Sequence, residues 1–192
     1  MSAYAIAVFC GARTGRRPVH AEAAGALGKA LAAQGWPLIY GGGKVGLMGI
    51  TAQACLDAGG EATGVIPGFL ASREVLHPDL TTCHHVDDLF ERKGLMLELA
   101  DAFVALPGGI GTLDELLEVM AWRQLGCLEK PIALLDVDGF FERWLALLRD
   151  IAEEGFLDHG EIDRLIVVQD VPALLAALEA ALAYAPGSRN AV

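Results

Sequence analysis

No stretch of the chain holds the ~18 consecutive apolar residues that a membrane-spanning helix needs, so a transmembrane segment is excluded. Basic residues are scarce. There are 14 Lys and Arg against 25 Asp and Glu, a net charge of −11, which excludes the broad basic surface of a nucleic-acid-binding protein. The deficit is local: residues 1–93 carry 8 basic and 8 acidic residues, and residues 94–192 carry 6 and 17. A small anion can therefore still be held in the balanced half, where Arg13, Arg16, Arg17, Lys44, Arg92 and Lys93 lie. Only four cysteines occur, Cys10, Cys55, Cys83 and Cys127, with no C-x-x-C and no histidine at zinc-ligand spacing from them. Read as small reduced core residues, they point to the cytoplasm. His84-His85 is not a ligand pair, because neighbours on a strand point to opposite faces. The N-terminal Met1–Cys10 lacks the basic start of a signal peptide and reads as a strand. No Gly-Lys-Ser/Thr is present, so a Walker A loop is excluded.

What is abundant is apolar character, 54% of residues, and glycine, 23 of 192. Apolar runs at Ala3–Cys10, Pro37–Tyr40, Ala62–Ile66, Leu80–Val86, Ala102–Leu106, Pro131–Leu135 and Ile166–Val168 alternate with helical patterns at 18–34, 47–58, 87–100, 112–125, 140–154 and 172–184. Strands of this kind require a parallel sheet covered on both faces. The expectation is an α/β fold, a Rossmann-like doubly wound parallel sheet. It forms a single domain over residues 1–184, with 185–192 a flexible tail and the site at the carboxyl ends of the strands.

Two glycine loops join strands to helices. Gly41-Gly42-Gly43-Lys44-Val45-Gly46 fits G-x-G-x-x-G, but it follows the second strand, and no acidic ribose ligand follows the third, which argues against a dinucleotide site. Its readings are a phosphate cradle at a helix start or a tight turn for close packing. The second loop runs Pro107-Gly108-Gly109-Ile110-Gly111-Thr112-Leu113-Asp114-Glu115. Thr112 and Glu115 have capping-box spacing, so Glu115 is either a cap or a carboxylate beside an anion site. The stripe Leu113, Leu116, Leu117, Met120 marks that helix's buried side and leaves Glu115, Glu118 and Trp122 on another. Arg92 falls on the apolar stripe Leu89, Met96, Leu99. It must pair with an anion there, or snorkel to the surface.

Phe9-Cys10-Gly11, Gly41-Gly42-Gly43 with Gly46-Leu47-Met48-Gly49, Glu91-Arg92-Lys93 and Pro107-Gly108-Gly109-Ile110-Gly111-Thr112 with Glu115 occur in this order. Over roughly residues 4–180 the chain resembles the Lonely Guy family of phosphoribohydrolases, many of which carry an older label of possible lysine decarboxylase. The resemblance implies a Rossmann-like homodimer with no metal or organic cofactor. It implies hydrolysis of the N-glycosidic bond of a nucleoside 5′-monophosphate, giving free base and ribose 5-phosphate. The substrates would be cytokinin riboside monophosphates, that is N6-substituted AMP, or AMP itself. Neither nucleic acid nor membrane is an expected partner.

Position by position, the resemblance implies that Arg92 and Glu115 are the catalytic pair. Glu74, Lys93 and the run Gly109, Ile110, Gly111, Thr112, Leu113 and Asp114, with Gly108, would contact substrate. Gly11, Gly42, Gly43 and Gly46 would belong to the phosphate cradles, and Trp122 and Gln124 to the dimer interface. The chain departs from the family at Ala12-Arg13, where the family has two serines, at Leu89-Phe90 in place of Met-His, and at Ala121 in place of Thr. Three other readings compete. One is a pyridoxal phosphate-dependent lysine decarboxylase using Lys29, Lys44, Lys93 or Lys130; the others are a non-catalytic nucleotide-binding protein and a dinucleotide oxidoreductase.

Overall fold

The first strand, β1 (Ile6–Phe9), is apolar and buried at all four positions. Its alternate residues feed two separate cores: Ala7 and Phe9 enter one, Ile6 and Val8 the other. A strand buried on both faces is the mark of a sheet sandwiched between helices. The computed structural model describes residues 4–71 and 76–184. In chain order the elements are β1, α1 (Pro18–Gln34), β2 (Leu38–Tyr40), α2 (Gly46–Asp57), β3 (Ala62–Pro67), α3 (Gly68–Ala71), β4 (Thr82–Val86), α4 (Leu89–Leu99), β5 (Ala102–Ala105) and α5 (Ile110–Gln124). β6 (Ile132–Leu135), α6 (Glu142–Glu153), α7 (His159–Asp163), β7 (Ile166–Val168) and α8 (Val171–Tyr184) complete the series. A 3-10 turn, Val137–Gly139, links β6 to α6.

All seven strands join one parallel sheet in the order β4-β3-β2-β1-β5-β6-β7. The chain winds one way from β1 to β4, then crosses back to place β5 on the other side of β1. One core lies between the sheet and α4, α5 and α6, with Phe103, Met96, Leu116, Val119 and Leu148 buried in it. The other holds Leu27, Leu31, Tyr40, Leu47, Leu174 and Leu178 under α1, α2 and α8. Pro18 opens α1 at its first position, and Gly35 closes it with a left-handed φ of 65°. The topology matches the doubly wound parallel sheet expected from the alternation of strands and helices.

Several local expectations are corrected. α5 starts at Ile110, two residues before the predicted start at Thr112, because the chain already turns helical after Gly109. A short helix, α3, lies within the segment expected to be irregular. Leu89 and Leu117 were placed on buried stripes, yet they are 45% and 46% exposed. Cys127 is exposed and Cys83 half-buried, so only Cys10 and Cys55 are core thiols. Glu74 and the tail 185–192 lie outside the described residues. Among the described residues no helix is long and apolar enough to cross a membrane, and no group of three His, Cys, Asp or Glu side chains is placed to hold a metal.

Candidate active site

The winding reverses between β1 and β5, and the loops that leave these adjacent strands diverge over a crevice. Ligands of doubly wound sheets bind at this point. The two loops are stitched together at its floor. Leu106 N–H donates to the Phe9 carbonyl (2.9 Å), and Gly11 N–H to the Pro107 carbonyl (3.1 Å). A cavity of about 670 Å³ opens above them.

One wall is the Pro107–Thr112 loop and the start of α5. Its N-cap is Gly109, which has no side chain to satisfy the N–H groups of the first turn. Gly109, Gly111 and Thr112 line the cavity, so a helix N-terminus with uncapped donors faces it, the arrangement that suits a phosphate. Gly108 must be glycine, because a Cβ there would overlap the Thr112 hydroxyl and lie 2.6 Å from its Cβ. The earlier helix start also decides the ambiguity at Glu115. Thr112 is the third residue of α5 and not its cap, so the capping-box reading of Thr112 and Glu115 fails.

Glu115 lies one turn further along α5 and lines the same cavity. Its Oε1 sits 3.9 Å from Nη2 of Arg92, with the two side chains only 15% and 8% exposed. Asp88 positions Arg92. As the N-cap of α4 it accepts from Phe90 N–H (2.8 Å) and Glu91 N–H (2.9 Å), which fixes the first turn of that helix. Arg92 then points inward over Gly41, where a Cβ would overlap its guanidinium. Its Nε is buried without a partner. Arg92 is thus a buried cation at the cavity wall, paired with Glu115 as burial requires. Cys10 also borders the cavity, and burial first, then the charge of Glu115, pushes its thiol far up, so it stays protonated.

The loop from β1 to α1 adds Arg13, Thr14, Arg16 and Arg17 to the lining. Arg17 forms an ion pair with Asp138. Behind the loop, His20 is 6% exposed and meets Phe140 edge-on at 5.8 Å. Burial and then Arg17 lower its pKa, which favours the neutral imidazole.

The other glycine loop shows the close packing that was one of its two readings. Gly42, Gly43 and Gly46 are not among the cavity-lining residues. The first amides of α2, Leu47 N–H and Met48 N–H, donate to the Gly11 carbonyl (2.9 and 3.4 Å), so part of that helix start is engaged by the chain itself. Gly46, at φ 62°, lies against Ala12 and Arg13, where a Cβ would overlap the backbone. Gly42 (φ 79°) accepts from His77 N–H at 2.9 Å, and Gly43 bridges to Leu76. The loop buttresses the cavity. It supports Gly11 from one side and Arg92 from the other.

Lys93 and Asp114 do not line the cavity either. Lys93 Nζ pairs with Asp114 Oδ2 (3.2 Å) and Glu118 Oε2 (2.5 Å). Burial alone lowers the Lys93 pKa, but these two carboxylates outweigh it and raise it net. Ile110 is 84% exposed, and Leu113 packs against the core beneath α5. His20, Thr14 and Phe140 were missed as site residues. The position of the 11–17 loop after the first strand of a doubly wound sheet was the available signal for it. Phe140 had none, since it reaches the cavity only through the turn after β6.

A family signature described as possible lysine decarboxylase matches residues 48–178. The cytokinin riboside 5′-monophosphate phosphoribohydrolase of Rhodococcoides fascians is 44% identical over 174 residues, 90% of this chain and 88% of that protein. The chain belongs to the Lonely Guy family. A rice (Oryza sativa subsp. japonica) member named probable cytokinin riboside 5′-monophosphate phosphoribohydrolase is 44% identical over 93% of this chain and 77% of its own. The rice protein named cytokinin riboside 5′-monophosphate phosphoribohydrolase LOG is 47% identical over 79% of this chain and 63% of its own. Among solved structures, the molybdenum cofactor carrier protein of Chlamydomonas reinhardtii superposes with a TM-score of 0.74 at 23% identity, over 95% of this chain and 99% of that one. That likeness is one of fold.

Proposed function

We propose that the protein hydrolyses the N-glycosidic bond of nucleoside 5′-monophosphates, cytokinin riboside monophosphates and AMP among them, releasing the base and ribose 5-phosphate. The observation that carries this reading is the Arg92–Glu115 pair on the wall of a cavity whose neighbouring lip is an uncapped helix start. Relatives of 44–47% identity bear names with this activity.

The chemistry follows from charge. As the bond from the ribose C1′ to the base breaks, positive charge develops on the sugar and negative charge on the leaving base. Glu115 faces the sugar, stabilises the developing cation and orients the attacking water. A preorganised charge of this kind contributes about 3–4 kcal/mol to the transition state. Arg92 keeps Glu115 ionised and in place. The first-turn amides of α5 hold the 5′-phosphate, whose remote binding fixes C1′ against the carboxylate.

The lysine decarboxylase label does not fit the cavity. Schiff-base chemistry needs a lysine, and none lines it. Lys93 is held by two carboxylates, and Lys130 Nζ donates to the Leu97 carbonyl (2.7 Å).

The protein acts as a homodimer in this reading. Leu89 and Phe90 on α4, with Leu117 and Trp122 on α5, are large apolar side chains left 44–79% exposed on neighbouring helices, as subunit interfaces require. Residues 1–184 work as one nucleotide-binding unit in the cytoplasm, in keeping with free thiols at all four cysteines.

The test is chromatography of base released from AMP, N6-isopentenyl-AMP and adenosine. Base is expected from both nucleotides, with adenosine slower by roughly 100-fold or more. Equal rates for adenosine and AMP would refute the phosphate grip. No base from either nucleotide, with AMP still bound, would leave a carrier.

A further inference from the structure

The Arg92–Glu115 pair is too loose to fix its own geometry. Arg92 Nη2 and Glu115 Oε1 lie 3.9 Å apart, beyond hydrogen-bond reach, and Arg92 Nε has no hydrogen-bond partner. A tighter link joins the same two helices one residue further along α4. Lys93 Nζ lies 2.5 Å from Glu118 Oε2 and 3.2 Å from Asp114 Oδ2 on α5, and 5.6 Å from the centroid of the Phe90 ring. The Lys93 and Glu118 side chains are only 15% and 23% exposed, whereas Asp114 is 60% exposed. Glu118 Oε2 is shut off from solvent. A carboxylate oxygen in that position has to keep its cation, while the exposed partner Asp114 adds less. The two links run in parallel. Arg92 and Lys93 are successive residues, and Glu115 and Glu118, three apart, are neighbours on the surface of α5. The Lys93–Glu118 contact therefore sets the rotation and spacing of α4 against α5 beside the loose pair. Neither Lys93 nor Glu118 lines the cavity.

We infer that Glu118 is a positioning residue: by anchoring Lys93 it holds Arg92 against Glu115 during the reaction. The inference rests on the phosphoribohydrolase reading above and adds to it a residue outside the cavity. Without the anchor, the first turns of α4 and α5 lose their tightest ion pair, and Arg92 is free to shift away from Glu115. A displacement of about 1 Å costs a catalytic arrangement up to about 100-fold in rate. The 5′-phosphate is held by the start of α5, upstream of Glu118, so substrate binding is spared. The signature of the role is a fall in kcat at nearly constant KM.

The experiment measures kcat and KM for AMP, by chromatography of released adenine, in the wild type, Glu118→Leu, Glu118→Gln, Lys93→Met and the double variant Lys93→Met, Glu118→Leu. In Glu118→Leu, kcat should fall about 10- to 100-fold with KM within about threefold of wild type. Glu118→Gln keeps an oxygen that accepts from Lys93 and should recover part of the loss. The double variant should be no slower than the slower single variant, because the two residues act as one link. Melting curves check folding; if Glu118→Leu is unfolded at the assay temperature, the same split between kcat and KM is read in Glu118→Gln. A kcat within about threefold of wild type in Glu118→Leu overturns the inference. So does a loss carried by KM, which would make Glu118 part of substrate binding, and so do single losses that multiply in the double variant, which would separate Glu118 from Lys93. If the wild type releases no base from AMP, the phosphoribohydrolase reading has failed. A crystal structure of Glu118→Leu then decides the brace: Arg92 displaced from Glu115 by about 1 Å or more supports it, and a pair unchanged at 3.9 Å removes it.

Discussion

Replacing Glu115 with glutamine removes one charge and almost nothing else, so it isolates what that charge does. The structure supplies both magnitudes. At 3.9 Å from Arg92, two unit charges attract by about 4 kcal/mol at an effective dielectric of 20 and by about 1 kcal/mol in bulk water. The pair is largely buried but borders a cavity open to solvent, and separating it also relieves the desolvation of Glu115. The expected net loss is therefore about 1–2 kcal/mol, a fall in Tm of roughly 2–8 °C for a chain of this size. The catalytic loss is larger. Without the carboxylate, the sugar cation loses about 3–4 kcal/mol of stabilisation, a fall of roughly 10²–10³ in kcat. KM should change far less, since the phosphate grip is untouched. Base release followed by chromatography, alongside thermal melting, reads both quantities. Glutamine keeps the length of glutamate and an oxygen that can still accept a hydrogen bond from Arg92. A Glu115→Gln enzyme within about threefold of wild-type kcat would therefore return Glu115 to a structural role, and the mechanism would fall.

Three other outcomes are expected. Gly108→Ala puts a Cβ into the Thr112 hydroxyl, with Thr112 Cβ 2.6 Å away, so the loop must shift. Base release should drop at least tenfold, and urea denaturation should show a loss of about 1–3 kcal/mol. Cys127 should react first with a thiol reagent in the native protein, and Cys10 and Cys55 only on unfolding. Cys55 is buried and its thiol is pushed up to about 11, by burial and then by Glu61; mass spectrometry of labelled peptides orders the sites. The folded state lowers the pKa of His20 and of His77, in both cases first by burial, below the ordinary 6.5. Their contribution to stability is full above pH 6.5 and is lost as pH falls through the lowered values. Tm should therefore decline below pH 6.5, and a His20→Gln, His77→Gln double variant should flatten the decline; an unchanged slope would contradict the assignment.

Much of this protein was legible before folding was considered. Apolar runs alternating with amphipathic segments can be satisfied only by a sheet covered on both faces, and the observed sheet has that form. Glycines flanked by a strand and a helix marked both loops, and an arginine on an apolar helical stripe had either to find an anion or to snorkel to the surface. Local pattern was less reliable at element ends and on partly exposed helix faces. The start of α5 was misplaced because Thr112 looks like a cap, and Leu89 and Leu117 continue an apolar stripe onto exposed surface.

The chain by itself determined the fold class and the Pro107–Thr112 loop, because each follows from the chemistry of neighbours in sequence, while the meeting of Arg92 with Glu115 took the tertiary structure. Strand order was decided only in three dimensions. By placing β5 beside β1, the fold brought the arginine loop after the first strand and the helix start after the fifth to one cavity. The same packing set the Gly41–Gly46 loop against the backbone at 11–13 and the guanidinium of Arg92. No local pattern encodes which loops face one another, because that depends on which strands pair, and pairing is settled by burial over the whole sheet.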